Sequence, residues 1–118
     1  MKRIFIIALT LFAAFSAIKA AELPTYPGGQ KAMEKYISDN LKYPAFAKDN
    51  GVEGVVTIGF LVETDGSLKN PKVVHLVDPD LEKEALRLVN GMPAWIPADK
   101  DGTPVAAPAQ VNIPFVLE

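Results

Sequence analysis

The chain has 118 residues, with 12 basic and 14 acidic side chains and no cysteine. That length suits one domain with one core, while the missing cysteines exclude both a disulfide framework and a lipid-modified N-terminal cysteine. Without Lys2, Arg3 and Lys19, which fall in an apparent leader, 9 basic side chains face 14 acidic ones, and the resulting charge of −5 disfavours binding to nucleic acid.

The leader comes first in the chain. Met1-Lys2-Arg3 is a short basic head, residues 4–18 are uncharged and mostly apolar, and Ala20-Ala21 offers small side chains for cleavage. Residues 1–20 are therefore predicted to be a secretory signal peptide cut after Ala20. A membrane-spanning helix needs about 20 apolar residues, whereas this run stops after 15 at Lys19. An uncleaved anchor is the lesser alternative. Residues 21–27 read as a short tether, and residues 28–118 as the domain.

Gly28-Gly29 opens a helical pattern in which Ala32, Met33, Tyr36, Ile37 and Leu41 share one face. Tyr43-Pro44 ends or bends that helix, because the residue before a proline is pushed towards extended geometry. A short helical turn then restarts with Pro44 at its first position and stops at Asn50-Gly51. From Val52 the period becomes two, with Val56, Ile58, Phe60 and Val62 on the core side, and Asp65-Gly66 turns the chain into a second strand from Leu68 to Val77, disturbed by Pro71. Asp78-Pro79-Asp80 starts the next helix, whose buried stripe is Leu81, Ala85, Leu88 and Val89, and Asn90-Gly91 ends it. The stretch Met92 to Pro97 is too rich in proline for helix, and Trp95 within it reads as a core plug, as Tyr36 does on its own stripe. Asp101-Gly102 marks a further turn. Val111, Ile113, Phe115 and Leu117 alternate as the last strand, which Pro114 confines to a sheet edge because it lacks an amide donor. The predicted fold is α+β: a three-stranded antiparallel sheet with two main helices on one face and the C-terminal strand at the edge.

These elements carry little chemistry. A nucleophilic site needs a Ser, Cys or Thr held against an oriented base; after the leader only Ser38, Ser67 and one histidine are present beside the threonines. His75 is predicted inside the second strand as a partly exposed strand residue, and a single His without Cys gives no zinc ligand set. The acidic runs Asp78–Glu82 and Asp99–Asp101 are explained as a helix start and a turn. No catalysis, no metal, no cofactor and no small-molecule substrate are expected.

The ordered set of motifs resembles the C-terminal domain of TonB, in the form common in Bacteroidetes-type proteins. The residues that carry the resemblance are Tyr26-Pro27-Gly28-Gly29, Tyr36, Asn40-Leu41, Tyr43-Pro44-Ala45, Phe60-Leu61-Val62, Asp65-Gly66, Asp78-Pro79, Glu84-Ala85, Met92-Pro93, Trp95, Pro97, Pro104-Val105 and Pro114-Phe115. The resemblance implies a periplasmic module that grips a short peptide, the TonB box, of an outer-membrane transporter. In that family the grip is strand addition along the C-terminal edge strand, which places peptide binding on Val111, Asn112, Ile113, Phe115, Val116 and Leu117. The family's Tyr-Pro step lies near the transporter, which makes Asn40, Tyr43, Pro44 and Phe46 candidate partner contacts. Phe46 stands where the enterobacterial form has a basic residue, Asn40 where it has Gln, and Ala98 where the family has Gly, so a charge-based contact at Phe46 is not expected.

Two further readings stay open. The same edge can pair with a second copy, giving a homodimer, or with another envelope protein in an assembly role. With the leader retained, the domain would instead join energy transduction, although a seven-residue tether reaches at most about 25 Å and is not expected to bridge two membranes. Tyr43 is either a contact or a cap on the core. Pairing through about five backbone bonds at about 1 kcal/mol each is weak once the ordering of a flexible peptide is set against it.

Overall fold

The structure, a computed structural model, describes residues 23–118, so the predicted leader and the start of the tether lie outside it. The rest of the predicted tether is not loose. Thr25 pairs with Ile96 through two backbone bonds, and Tyr26 is buried against Trp95 at 5.9 Å between ring centroids. Packing therefore begins ahead of Gly28.

Gly28 and Gly29, at φ 90° and 89°, turn the chain into helix α1, Gln30–Asn40. Its apolar stripe buries Met33 and Ile37, and Tyr36 donates its hydroxyl to the Leu88 carbonyl at 2.7 Å. Pro44 does not start the short helix α2, Ala45–Asp49, but caps it in extended geometry at ψ 135°. Strand β1, Gly54–Val62, buries Val56, Ile58, Phe60 and Val62 on one face as its period of two requires.

Strand β2, Leu68–Val73, is shorter than expected. Asn70, at φ 52°, and Pro71 form a bulge opposite Phe60, where the register with β1 slips between Gly59 and Leu61. Val74 makes the last backbone bond to β1 just past the strand, so His75 lies in an exposed bend and not within a strand. Helix α3, Pro79–Asn90, starts as predicted: the Asp78 carboxylate accepts from the Asp80 and Leu81 amides at 3.0 and 3.1 Å, with Pro79 in the first turn. Leu81, Ala85, Leu88 and Val89 are all buried.

Beyond Trp95 comes a small hairpin that the sequence reading did not contain, β3 (Ala98–Lys100) and β4 (Thr103–Val105), turned by Asp101-Gly102. The last strand, β5, is Ala107–Phe115. It begins earlier than the predicted Val111 and ends before Val116 and Leu117, because it matches the nine residues of β1 pair for pair from Val62↔Ala107 to Gly54↔Phe115. The sheet order is β2-β1-β5, antiparallel throughout. The predicted α+β architecture, with the C-terminal strand at one edge, is the observed one. The core lies between this sheet and the helices, closed at one end by Tyr26, Phe60 and Trp95.

Candidate functional site

The free edge of β5 is the candidate site, and its geometry follows from one hydrogen bond on the other side of the sheet. The Val74 amide donates to the Thr57 carbonyl at 2.8 Å, so the Thr57 backbone points towards β2. In an antiparallel ladder successive residues point their backbone groups to opposite sides. Val56, Ile58 and Phe60 therefore point towards β5, where their partners are Ile113, Val111 and Ala109. The intervening residues of β5, namely Pro108, Gln110, Asn112 and Pro114, direct their backbone outward to the open edge. Both prolines thus stand where an amide donor is missed least by the protein's own sheet, and Gln110 and Asn112 are the two amides of the strand left without a ladder partner among the described residues.

The predicted peptide-binding residues divide accordingly. Val111, Ile113 and Phe115 bury their side chains in the core and turn their backbone to β1. Asn112 faces outward with its backbone, and its side-chain oxygen accepts the hydroxyl of the buried Thr57 at 2.7 Å on the face of the sheet opposite Val111 and Ile113. Val116 and Leu117 follow the strand; Val116 is 71% exposed, and the Leu117 amide donates to the Glu53 carboxylate.

Helix α1 flanks this edge on the core side. Gln30, Met33, Ile37 and Leu41 on the helix and Asn112, Pro114 and Val116 on the chain line a hollow of about 600 Å³. A second hollow, of about 400 Å³, continues it past Gln30 and Met33 to Tyr26, Trp95 and Ala109. Together they form a groove along the edge, mostly apolar at the Trp95 end and mixed at the Pro114 end, where Glu34, Ser38 and Glu118 also line it. The opposite edge of the sheet, on β2, is short, bulged and marked by exposed Lys69 and Lys72, features that blunt strand pairing.

The candidate partner contacts are placed differently from one another. Tyr43 is half-buried, edge-on against Phe115 at 5.6 Å between ring centroids, and donates its hydroxyl to the Val52 carbonyl. Burial, and then the nearby charges of Glu53 and Asp78, push its phenol above the usual range, which keeps it a donor. Phe46 is 69% exposed on α2. Asn40 and Pro44 belong with a clasp between α1 and α3. There the buried Glu84 carboxylate accepts from the Lys42 amide at 2.7 Å and from Arg87 at 2.7 and 2.8 Å, while Arg87 also donates to the Asn40 carbonyl at 2.8 Å. Pro44 lines a shallow hollow with Lys42, Glu84 and Arg87. Of the four, only Tyr43 is tied to β5.

Pro108 and Gln110 were missing from the sequence-based site. A usable signal was present, since Ala107, Ala109, Val111 and Ile113 continue the period of two, and a nine-residue β1 calls for a partner of equal length. Among the described residues no three His, Asp or Glu side chains are grouped to hold a metal ion, and no helix there is long and apolar enough to cross a membrane.

A sequence profile of the Gram-negative bacterial TonB protein C-terminal matches residues 39–117. Among solved structures, the chain is similar to the Helicobacter pylori TonB C-terminal domain in solution. Over residues 179–285 of that protein the identity is 26%, with 73% of this chain and 78% of that one covered and a TM-score of 0.56. A shorter form, residues 194–285, gives 24% identity, coverage of 72% and 89%, and a TM-score of 0.55. No curated protein matches the chain.

Proposed function

The chain belongs to the family of the Gram-negative bacterial TonB protein C-terminal domain, and on that premise we propose that it is a periplasmic module that captures TonB-box-type peptides of outer-membrane transporters. Domains of this family bind and transduce; they are not enzymes. The captured peptide lies along β5 as a fourth strand of the sheet. The observation that carries this reading is the outward-facing backbone of Gln110 and Asn112, beside a groove against α1 that is mostly apolar at its Trp95 end.

The energetics say what such a peptide must bring. A proline-free partner that pairs along Pro108 to Pro114 makes about six backbone bonds, and at about 1 kcal/mol net each they contribute about 6 kcal/mol. Ordering a flexible peptide costs about 2–5 kcal/mol. The remainder falls short of the ~4 kcal/mol of a millimolar complex, so side chains in the groove supply the rest at about 1.5–3 kcal/mol for each large apolar group buried.

The proposal includes export through a cleaved leader at residues 1–20 and a domain over 28–118, with Thr25 and Tyr26 packed onto it. Titrating isotopically labelled protein with a TonB-box peptide tests the capture. Saturable shifts in the Gln110 and Asn112 amides are expected, and unchanged amides from Ala107 to Leu117 would sink the reading.

A further inference from the structure

The two prolines of the edge limit what can pair there. In a two-fold pairing of this strand with a second copy, each strand brings only the Gln110 and Asn112 donors, so the pair makes at most four bonds in any register. A foreign strand without proline brings its own donors opposite Pro108 and Pro114, whose carbonyls are free to accept, and makes six. The edge is thus asymmetric in its preference although none of the described residues covers it.

A second observation concerns the side chains that such a strand would place towards the core. Residues opposite Ala109, Val111 and Ile113 point to the helix side of the sheet, as those three do. Val111 and Ile113 are large and fully buried, whereas Ala109 is small and only half-buried. Beside it lies the hollow of about 400 Å³ between Tyr26, Gly29, Met33 and Trp95. That volume exceeds any aliphatic side chain, and its walls are mostly apolar, with Tyr26, Met33 and Trp95 on one side and the polar Thr25, Gln30 and Gln110 at its margins.

We infer that the β5 edge selects a proline-free extended segment of another protein, with a bulky aliphatic or aromatic side chain seated beside Ala109, and rejects a second copy of this chain. The inference rests on strand addition at β5 and adds to it the chemistry of the partner and the exclusion of self-pairing. Pro108 and Pro114 act here as the edge prolines of other sheets do, by withholding donors from a like strand.

Two measurements on the chain residues 21–118 test it. Sedimentation equilibrium compares the wild type with the double variant Pro108→Thr, Pro114→Thr, which restores both donors on exposed positions with a good strand former. The wild type is expected to stay monomeric, and the variant to self-associate at least about tenfold more strongly; equal self-association overturns the exclusion. In the second, a nonapeptide of alternating Thr and Val with a central Leu is titrated into wild-type protein, beside the same peptide with central Ala. Shifts at Gln110, Asn112 and the Trp95 indole are expected, with affinity about tenfold or more weaker for Ala. Shifts on β5 with equal affinities overturn the seat beside Ala109 and leave strand addition standing. Shifts confined to β2 overturn strand addition at β5 itself.

Discussion

At the scale of single residues, Gly66 and Tyr43 illustrate positions where geometry leaves little choice. Gly66 turns the β1–β2 hairpin at φ 88°, and a Cβ there would lie 2.1 Å from the Trp95 carbonyl oxygen. The Trp95 amide in turn donates to the Gly66 carbonyl at 2.9 Å, so the hairpin turn and the aromatic end of the core are fitted to each other. Gly66→Ala combines left-handed strain with a displaced backbone and is expected to cost more than about 2 kcal/mol in urea unfolding; a loss below about 0.5 kcal/mol would mean that the contact yields freely. Tyr43 lends itself to a graded test. Tyr43→Phe keeps the ring on Phe115 and loses only the bond to the Val52 carbonyl, so peptide capture should persist with a melting temperature lowered by a few degrees. Tyr43→Ala removes the ring that backs the end of β5 and should lower melting by about 5 °C or more. Capture abolished in the Phe variant, with its fold intact, would instead make the hydroxyl a partner contact.

At the scale of elements, the clasp between α1 and α3 decides how the helices are held beside the sheet. Burial pushes the Glu84 carboxyl up, but hydrogen bonds from Arg87 and the Lys42 amide, with the charges of both residues, outweigh it and hold the group below the usual range. A carboxyl held low in the folded state contributes stability that is complete above its unfolded pKa of about 4.3 and is lost as pH falls through the folded value. Thermal melts from neutral pH downward should therefore show an acid limb below about pH 4. Glu84→Gln should be less stable at neutral pH and should flatten that limb; an unchanged limb would place the acid-labile charge elsewhere. Spacing alone carries Glu84 onto the buried stripe, three residues after Leu81, yet only the fold reveals the orphan Lys42 amide that it satisfies. The helices and the β1–β2 hairpin were legible because their apolar side chains are large and periodic and their ends carry Asp78-Pro79, Asn90-Gly91 and Asp65-Gly66. The β3–β4 hairpin and the start of β5 were less so, because residues 103–110 are mostly Ala and Pro, whose small side chains give only a faint contrast between faces, and the period of two stands out only once Val111 and Ile113 extend it. The open edge was foreseen from Pro114; the groove beside it depends on where α1 comes to rest, and no local pattern encodes that.

At the scale of the whole molecule, the sheet ends where the helical layer does not. Among the described residues strand β1 is paired on both sides, while β5 is paired on one and flanked by α1 across a groove of mixed polarity. Backbone protection in the free protein should follow this asymmetry. The amides of Val111 and Ile113 are directed at β1 and open only with the sheet, whereas those of Gln110 and Asn112 face the edge with no ladder partner among the described residues. Amide exchange along β5 is thus expected to alternate, fast at 110 and 112 and slower by about 100-fold or more at 111 and 113, because the latter require a cooperative opening. The central residues of β1, from Val56 to Ile58, should be the slowest of all, since both of their ladders and the core must come apart together. Uniform protection from 110 to 113 would mean that the edge is already occupied in solution. Loss of the alternation only upon addition of peptide would tie the β5 edge directly to capture, since pairing along that edge protects those two amides and leaves their neighbours as they were.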